Sequence, residues 1–522
     1  MVLDTNAEVV VIGGGVAGLT AALSLAEAGL RPIVVEADPE RLGGRFSAKP
    51  PVKFAYGGRE WSFPAEHGVH GLWAHYVNLR ALLSRHNIQP DLLQAERQEW
   101  IYSSSNGDIN RAEVTQQLRS TILPAPFHYM ALLARPGFLS MFGPLDLLRI
   151  PWVGITLLTM LGFDPGRRAN ELTGRSMNEL LMFWPRGLRA FAGALARSGL
   201  ASGADDASLA GFVALFRFYS LLRKDSIRYE YLRGDPGTQI IDPLVTAIER
   251  LGGRVQRGAT VTHLEAQEHG WQVQLRTNES NTISNLNTKN IVLAADAPAA
   301  RRILMAGQTT GDVAGRMQWP EGQPSAIVRF WFSADPRPGM DGGMFGGEFL
   351  LDNFFWLHRI QKPFVDWYVS TGGSAVEAHI YATSAVLDQP DEVLLSIAAS
   401  DIFRSFPELR ATLIQSSLQR NPPTHTLFSI GTTTRHLGVE TPWPGLYACG
   451  DWVRYETPSL FLERACATGL AAANAVRASR GIEPLPILAH PDPEPLARVI
   501  QAGLRGVFGV MRWGVKGVRR RR

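Results

Sequence analysis

Cysteine is almost missing from this chain: 522 residues carry two, Cys449 and Cys466. Two thiols at no metal-type spacing provide neither a disulfide framework nor a cysteine zinc site, and they suit a reducing, cytoplasmic compartment. Long apolar runs are also scarce. The most apolar internal stretch, IPWVGITLLTMLGF at residues 150–163, is shorter than the roughly 20 residues of a spanning helix, so no segment is expected to cross a bilayer. The N-terminal MVLDTNAE has no basic region followed by an apolar core, which is the pattern of a secretory signal. Acidic residues are missing from one end only. From Leu496 onward there are eight basic residues and no acidic ones, leaving 44 basic against 48 acidic residues in the rest. The net charge of +4 therefore describes a mildly acidic body with a basic tail.

Hydrophobic residues make up 45% of the chain and charged residues 19%, the balance of a folded protein and not a disordered one. Its length calls for two or three structural units. The sharpest local pattern is EVVVIGGGVAGLTAALSLAEAGLRPIVVEAD, which reads as strand, tight turn, helix, strand. Gly13, Gly15 and Gly18 have the G-x-G-x-x-G spacing, with Val16 and Ala17 opening the helix. The first glycine permits the turn, the second lets a pyrophosphate approach the backbone, and the third lets helix and strand pack closely. Helix N–H groups then face the phosphates. Glu36, followed by Ala37, ends the second strand where a carboxylate can accept from a ribose hydroxyl. RLGGR comes next, and its Gly43, Gly44 and Arg45 favour FAD over NAD: the glycines let a second loop lie on the cofactor, and Arg45 can reach a phosphate.

PWPGLYACGDWVRYETPSLFLERACATGLAAANAV, residues 442–476, is a second strand-turn-helix. Asp451, after Gly450, can bind a ribityl or phosphate-linked hydroxyl. The helix start near Leu462 presents N–H groups where negative charge develops on a reduced flavin ring. Cys449 reads as a strand core residue.

Together these motifs resemble the FAD superfamily of amine oxidases, protoporphyrinogen oxidase and carotenoid desaturases. Glu66, Gly68 and His70 in EHGVHGLWAHYVNLRALL, followed by Tyr76 and Asn78, are most similar to plant-type carotenoid desaturases and to isorenieratene-synthase-like enzymes, which form aromatic carotenoid end rings. YLRGDPGTQIIDPLVTAIERLGGRV at residues 231–255 resembles the family segment that returns to the FAD unit, and the resemblance puts the Val261 backbone at the adenine end. It also implies that His67, Gly68 and His70 run along the flavin. From the residues alone, His67, His70 and His75 are metal ligands, acid–base groups or wall. Glycines 68 and 71 argue against the helix that a shared metal would need. The wall is preferred, with His70 as the catalytic candidate. No metal is expected.

The rest of the chain is oily. Residues 127–163 form apolar helical pieces broken by prolines, while IVRFWF and FLLDNFFWLHRI are aromatic strands; they are tunnel wall or core. In the tail, Leu496, Val499, Ile500, Leu504, Val507, Phe508, Met511, Val515 and Val518 form one helical stripe. Arg498, Arg505, Arg512 and Arg519 recur every seven residues, with Trp513 at headgroup level. That is an interfacial helix for an anionic membrane, weakened by its glycines and not read as a nucleic-acid patch.

The expected fold is α/β: a Rossmann-type FAD-binding domain with an inserted α+β substrate domain. Its FAD segments are residues 1–75, 231–300 and 431–482. An apolar helical insertion is expected at 76–230, a mixed sheet at 301–430 and the membrane-associating tail at 483–522. The expected activity is FAD-dependent dehydrogenation of a carotenoid or similar polyisoprenoid, with hydride passing to flavin N5 and ring aromatisation as a sub-hypothesis. Quinone and oxygen are both open as acceptors. The alternatives are an amine or porphyrinogen oxidase, a hydroxysqualene dehydroxylase, or a non-enzymatic carotenoid carrier with structural FAD.

Overall fold

The computed structural model describes residues 6–165, 171–172, 174–428 and 436–506. A seven-stranded sheet gathers residues from three distant parts of the chain. Its order is Arg254–Gln256, Pro32–Val35, Asn6–Ile12, Ile283–Leu293, Gly270–Thr277 and Ala259–Gln267, with Leu446–Ala448 also on Ile283–Leu293. The first four strands and Leu446–Ala448 pair in parallel, while the hairpin at 259–277 is antiparallel. Val9, Val10 and Val11 have no exposed surface, because helices cover the parallel part on both faces.

One of these helices, Val16–Ala26, is buried at all 11 positions. It can be so enclosed because Phe461–Ser479, 19 residues from the other end of the chain, crosses it at backbone distance. A Cβ added at Gly469 would lie 2.5 Å from the Ala17 carbonyl oxygen.

The second seven-stranded sheet has the order Leu413–Thr426, Gly322–Phe332, Ser374–Ile380, Asn353–Trp356, Gly342–Gly347, Gln98–Ser103 and Ile109–Glu113. Gly322–Phe332 contains the IVRFWF run, whose residues are all buried instead of alternating. Both faces of that strand are packed. Phe330 and Phe332 enter one core, and Trp331 enters another with Phe63, Phe364 and Trp367.

Apolar helices between residues 115 and 221 pack against the second sheet, at Gly342–Gly347, Gln98–Ser103 and Ile109–Glu113. Here one expectation is corrected. Pro144–Gly162 forms 19 residues of mean hydropathy 1.4, only 22% buried, so one stretch does reach spanning length and apolarity. The sequence pattern undercounted it because the turn ahead of Ile150 joins two short helices. Asp146 and Arg149, paired at 3.2 Å, interrupt its apolar character there.

The tail is described only to residue 506. Val507, Phe508, Met511, Arg512, Trp513, Val515, Val518 and Arg519 lie outside the described residues, and so does most of the expected stripe. Residues 495–506 form a helix seated through Ala497 and Gln501, which leaves Leu496 and Val499 exposed.

Replacing Gly469 by valine should force the two helices apart. The expected loss is about 1–3 kcal/mol, read as a lower midpoint of thermal unfolding together with a lower FAD content.

Candidate active site

One cavity of about 1220 Å³ runs from the glycine turn to the apolar helices. Every site residue proposed from sequence lines it except Gly18. Gly18 is a packing residue: its added Cβ would sit 2.0 Å from the Gly13 carbonyl oxygen. Gly15 is the opposite case. Its added Cβ would meet nothing within 4 Å, so the space beside it is open to a ligand at the start of a buried helix.

Glu36 is held by its backbone surroundings. One carboxylate oxygen accepts from Gly14 N–H at 2.7 Å and the other from Asp38 N–H at 2.9 Å. Each oxygen keeps a further lone pair for a ribose hydroxyl. Across the cavity, Arg45 and Asp451 pair at 2.5 Å, joining loops 406 residues apart. Val261 lies on its strand at a register shift between Val261 and His263. Cys449, which follows Leu446–Ala448, is fully buried and its thiol is pushed up by burial.

The start of Phe461–Ser479 is anchored from the histidine-rich stretch. The Tyr219 hydroxyl donates to the Leu460 carbonyl at 3.1 Å and touches the Tyr76 hydroxyl at 3.1 Å. Glu463, fully buried in the first turn, accepts from the Asn78 and Leu79 N–H groups at 2.9 and 3.1 Å. Phe461 carries φ +54°, a region that costs a bulky residue about 1 kcal/mol or more. Phe461 and Leu462 face the cavity.

The three histidines separate. Burial, with help from His70 and Arg45, lowers His67 to about 2, and its buried Nε2 has no partner within the protein. His67 is thus a neutral imidazole with one polar atom left for a ligand. His70 lines the cavity with Nδ1 3.5 Å from Glu66 and its ring edge-on to Phe46. Burial raises the Glu66 carboxyl. His75 is packed among aromatics, 4.3 Å from the Phe218 ring centroid, and does not belong to the lining. Gly68 at φ +154° keeps the segment out of a helix. Among the described residues, no group of three His, Cys, Asp or Glu side chains could hold a metal ion.

Toward the helices the wall turns apolar and aromatic, with Trp73, Tyr129, Phe138, Trp184, Phe216 and Phe355. Glu99 also lines it, but both its oxygens are taken by Arg111 at 2.7 and 3.0 Å. Sequence reasoning missed His379, Tyr381 and His425, which line the cavity near His67. The alternation in Glu377-Ala-His379-Ile-Tyr381 was the available signal.

Residues 16–477 match the family model described as flavin containing amine oxidoreductase, and the protein belongs to that family. It is an FAD-dependent oxidoreductase with a Rossmann-type FAD domain and an inserted substrate domain. The chain is 27% identical over 485 residues to a carotenoid phi-ring synthase of Streptomyces griseus, covering 91% of this chain and 88% of that one. It is 22% identical over 473 residues to the 15-cis-phytoene desaturase of Capsicum annuum, at 86% and 74% coverage. Its fold is similar to that of cyclohexylamine oxidase from Brevibacterium oxydans, with a TM-score of 0.62, 16% identity, and coverage of 91% of this chain and 99% of that one. The open space at Gly15 and the unpartnered His67 Nε2 both fit FAD.

Gly15→Ala should leave the apoprotein folded, because an added Cβ meets no protein atom within 4 Å. FAD affinity should fall by about 100-fold or more through the blocked pyrophosphate approach. Flavin titration of the apoprotein, with thermal unfolding as a folding control, measures both.

Proposed function

We propose that this oxidoreductase dehydrogenates a carotenoid or similar polyisoprenoid, with aromatic end-ring formation as the finer form of the reaction. The observation that carries this reading is the single cavity, which joins the nucleotide motifs to an aromatic and aliphatic wall without a partition. FAD, when bound, supplies a two-electron acceptor for hydride. Gly13, Gly15, Val16 and Ala17 would hold the pyrophosphate, Glu36 and the Val261 backbone the adenosine end, and Arg45 and Asp451 the ribityl chain. His67, Gly68, His70 and Leu462 would lie along the ring. The FAD unit is then assembled from residues 1–75, 231–300 and 431–482. An amine substrate is less well served, since Glu99, the acid at the apolar end among the described residues, is already paired with Arg111.

The same reading supplies a membrane face. In Ile150–Gly162, Ile150, Val153 and Leu157 line the cavity while Trp152 and Ile155 are about half exposed on the outside. Leu145, Leu148, Met182 and Phe183 extend this outer patch, and the exposed Arg149, Arg186 and Arg189 lie on the same segments. Apolar side chains with arginines on the same segments suit the boundary of an anionic leaflet. The helix at 495–506 is tied to the same place. Arg217 donates to the Met160 and Leu161 carbonyls and, with the Gln501 amide oriented to accept, to Gln501 at 2.6 Å. Arg505 pairs with Asp164 at 3.1 Å. A bilayer-dissolved polyene would reach the cavity through this mouth, and a membrane quinone would be near at hand as electron acceptor.

Anaerobic mixing with a ring-ended polyene should bleach the flavin, while primary amines should leave it oxidised. Polyene binding without bleaching would instead mark a carrier, and bleaching by amines alone would mark an amine oxidase. Leu148→Asp combined with Trp152→Asp should lower partition into anionic vesicles by at least about tenfold, since each side chain withdraws more than 1 kcal/mol of apolar burial. Cosedimentation measures it, and unchanged partition removes the membrane face.

A further inference from the structure

Removing hydrogen across a carbon–carbon bond takes a hydride and a proton, and the proton needs an acceptor. A buried polar chain ends at the cavity with the right polarity for this. The strand Ser374–Ile380 alternates: Val376, Ala378 and Ile380 enter an aromatic core, so Glu377 and His379 share the other face, and Tyr381 continues that face just past the strand. Arg329 pairs with Glu377 at 2.6 Å, and Val69 N–H donates to the same carboxylate at 2.7 Å. His379 Nε2 lies 2.8 Å from Glu377, and His379 Nδ1 lies 3.1 Å from the Tyr381 hydroxyl. Arg329, Glu377 and His379 are each at most 3% exposed. Burying such groups costs several kcal/mol unless every partner is in place.

The partners fix the direction of every proton. Burial by itself would raise Glu377, but the Arg329 guanidinium beside it, the hydrogen bond from His379 and the Val69 N–H outweigh it and hold the carboxyl below its ordinary value. An ionised Glu377 can only accept, so Nε2 carries the imidazole hydrogen. In the neutral imidazole with Nε2 so bonded, Nδ1 is a lone pair and accepts the Tyr381 O–H. The tyrosine proton thus points into the protein, and an oxygen lone pair is left for the cavity, which Tyr381 and His379 both line. Gly68 closes over the imidazole: its added Cβ would lie 3.1 Å from His379.

We propose that Tyr381 is the catalytic proton acceptor of the dehydrogenation, with His379 and Glu377 as its positioning residues. The proposal rests on the desaturation reading above. One substrate C–H bond gives its hydride to FAD, the oxidant. The neighbouring C–H bond gives its proton to Tyr381 Oη as the Tyr381 O–H proton passes to His379 Nδ1, and the electron pair left behind forms the C=C bond. The imidazolium so formed is stabilised by Glu377, and its proton returns through Tyr381 to water once product has left. The other charged or titratable groups facing Tyr381 are Asp352, which accepts its backbone N–H at 2.8 Å, His425 at 5.7 Å between ring centroids, and Arg45. Asp352 is itself paired to Arg197 at 2.6 Å.

The test combines kinetics, binding and spectroscopy on the FAD-loaded, full-length protein. Tyr381→Phe should slow anaerobic flavin reduction by a polyene by about 100-fold or more, with polyene affinity from its absorbance shift changed by less than about twofold. His379→Asn, which keeps the phenol and removes its proton acceptor, should slow reduction likewise. Nitrogen-15 imidazole spectra of the wild type, assigned with His379→Asn, should show His379 protonated on Nε2 only. Reduction at the wild-type rate in Tyr381→Phe, a comparable loss confined to His70→Asn, or an Nδ1-protonated His379 would each overturn the assignment. If no polyene reduces the wild-type flavin, the desaturation reading has failed instead; the imidazole spectrum still reports separately on the hydrogen-bond chain.

Discussion

The contact between Val16–Ala26 and Phe461–Ser479 is the constraint on which the molecule is built. These helices follow the two nucleotide motifs and come from opposite ends of the chain. Only where Gly469 meets Ala17 without a Cβ can they lie close enough for both loops to face one cavity. The Arg45–Asp451 pair forms as a result. It is partly solvent-exposed, so helix packing contributes more to holding the ends together than this charge pair does.

A second principle is that charge is buried here only where it positions something. Glu463 is enclosed completely, yet its oxygens satisfy the N–H groups that open the helix Val77–Arg85. It thereby locks the histidine-rich stretch to the start of the closing helix, where Phe461 is held in a backbone region that a bulky residue avoids. Arg329 and Glu377 do the same on the facing sheet, and Arg329 also donates to the Glu66 carbonyl beside His67. Both walls of the proposed ring site are thus tied by buried hydrogen bonds, the kind of fixed surroundings that preorganised electrostatic stabilisation requires. The oily end has few such ties, as an apolar ligand of variable shape demands.

The proposed access face and the described part of the tail, residues 495–506, are tied together by hydrogen bonds and an ion pair. Arg217 is nearly buried and burial lowers it to about 10, so it stays cationic while satisfying the buried carbonyl end of Ile150–Gly162 and reaching Gln501. Anchoring and access become coupled in the proposed membrane-bound state.

Much of the cofactor half was legible in the residues alone, because its signals are local. G-x-G-x-x-G, an acid at the next strand end and a small-residue helix each express a backbone requirement within about 30 residues. Local signals of that kind carried the fold class and the cofactor, and all but one of the cofactor residues they named line the cavity, while the lining at Ala294, Ala295 and Asp296 had no such signal. The His379–Tyr381 side of the site was hard to read, since alternation marks a strand face without saying what that face meets. Whether an aromatic is wall or core was equally undecided: Phe355 lines the cavity while its neighbours Phe354 and Trp356 are buried in core. The sequence by itself determined which backbone turns can hold a dinucleotide, because steric limits on glycine and helix termini act between neighbours in the chain. Only the tertiary structure decided which cavity-lining histidine is left with a buried unpartnered nitrogen and which tyrosine ends a buried proton chain, because burial and partners such as Arg329 and Val69 come from other elements of the fold.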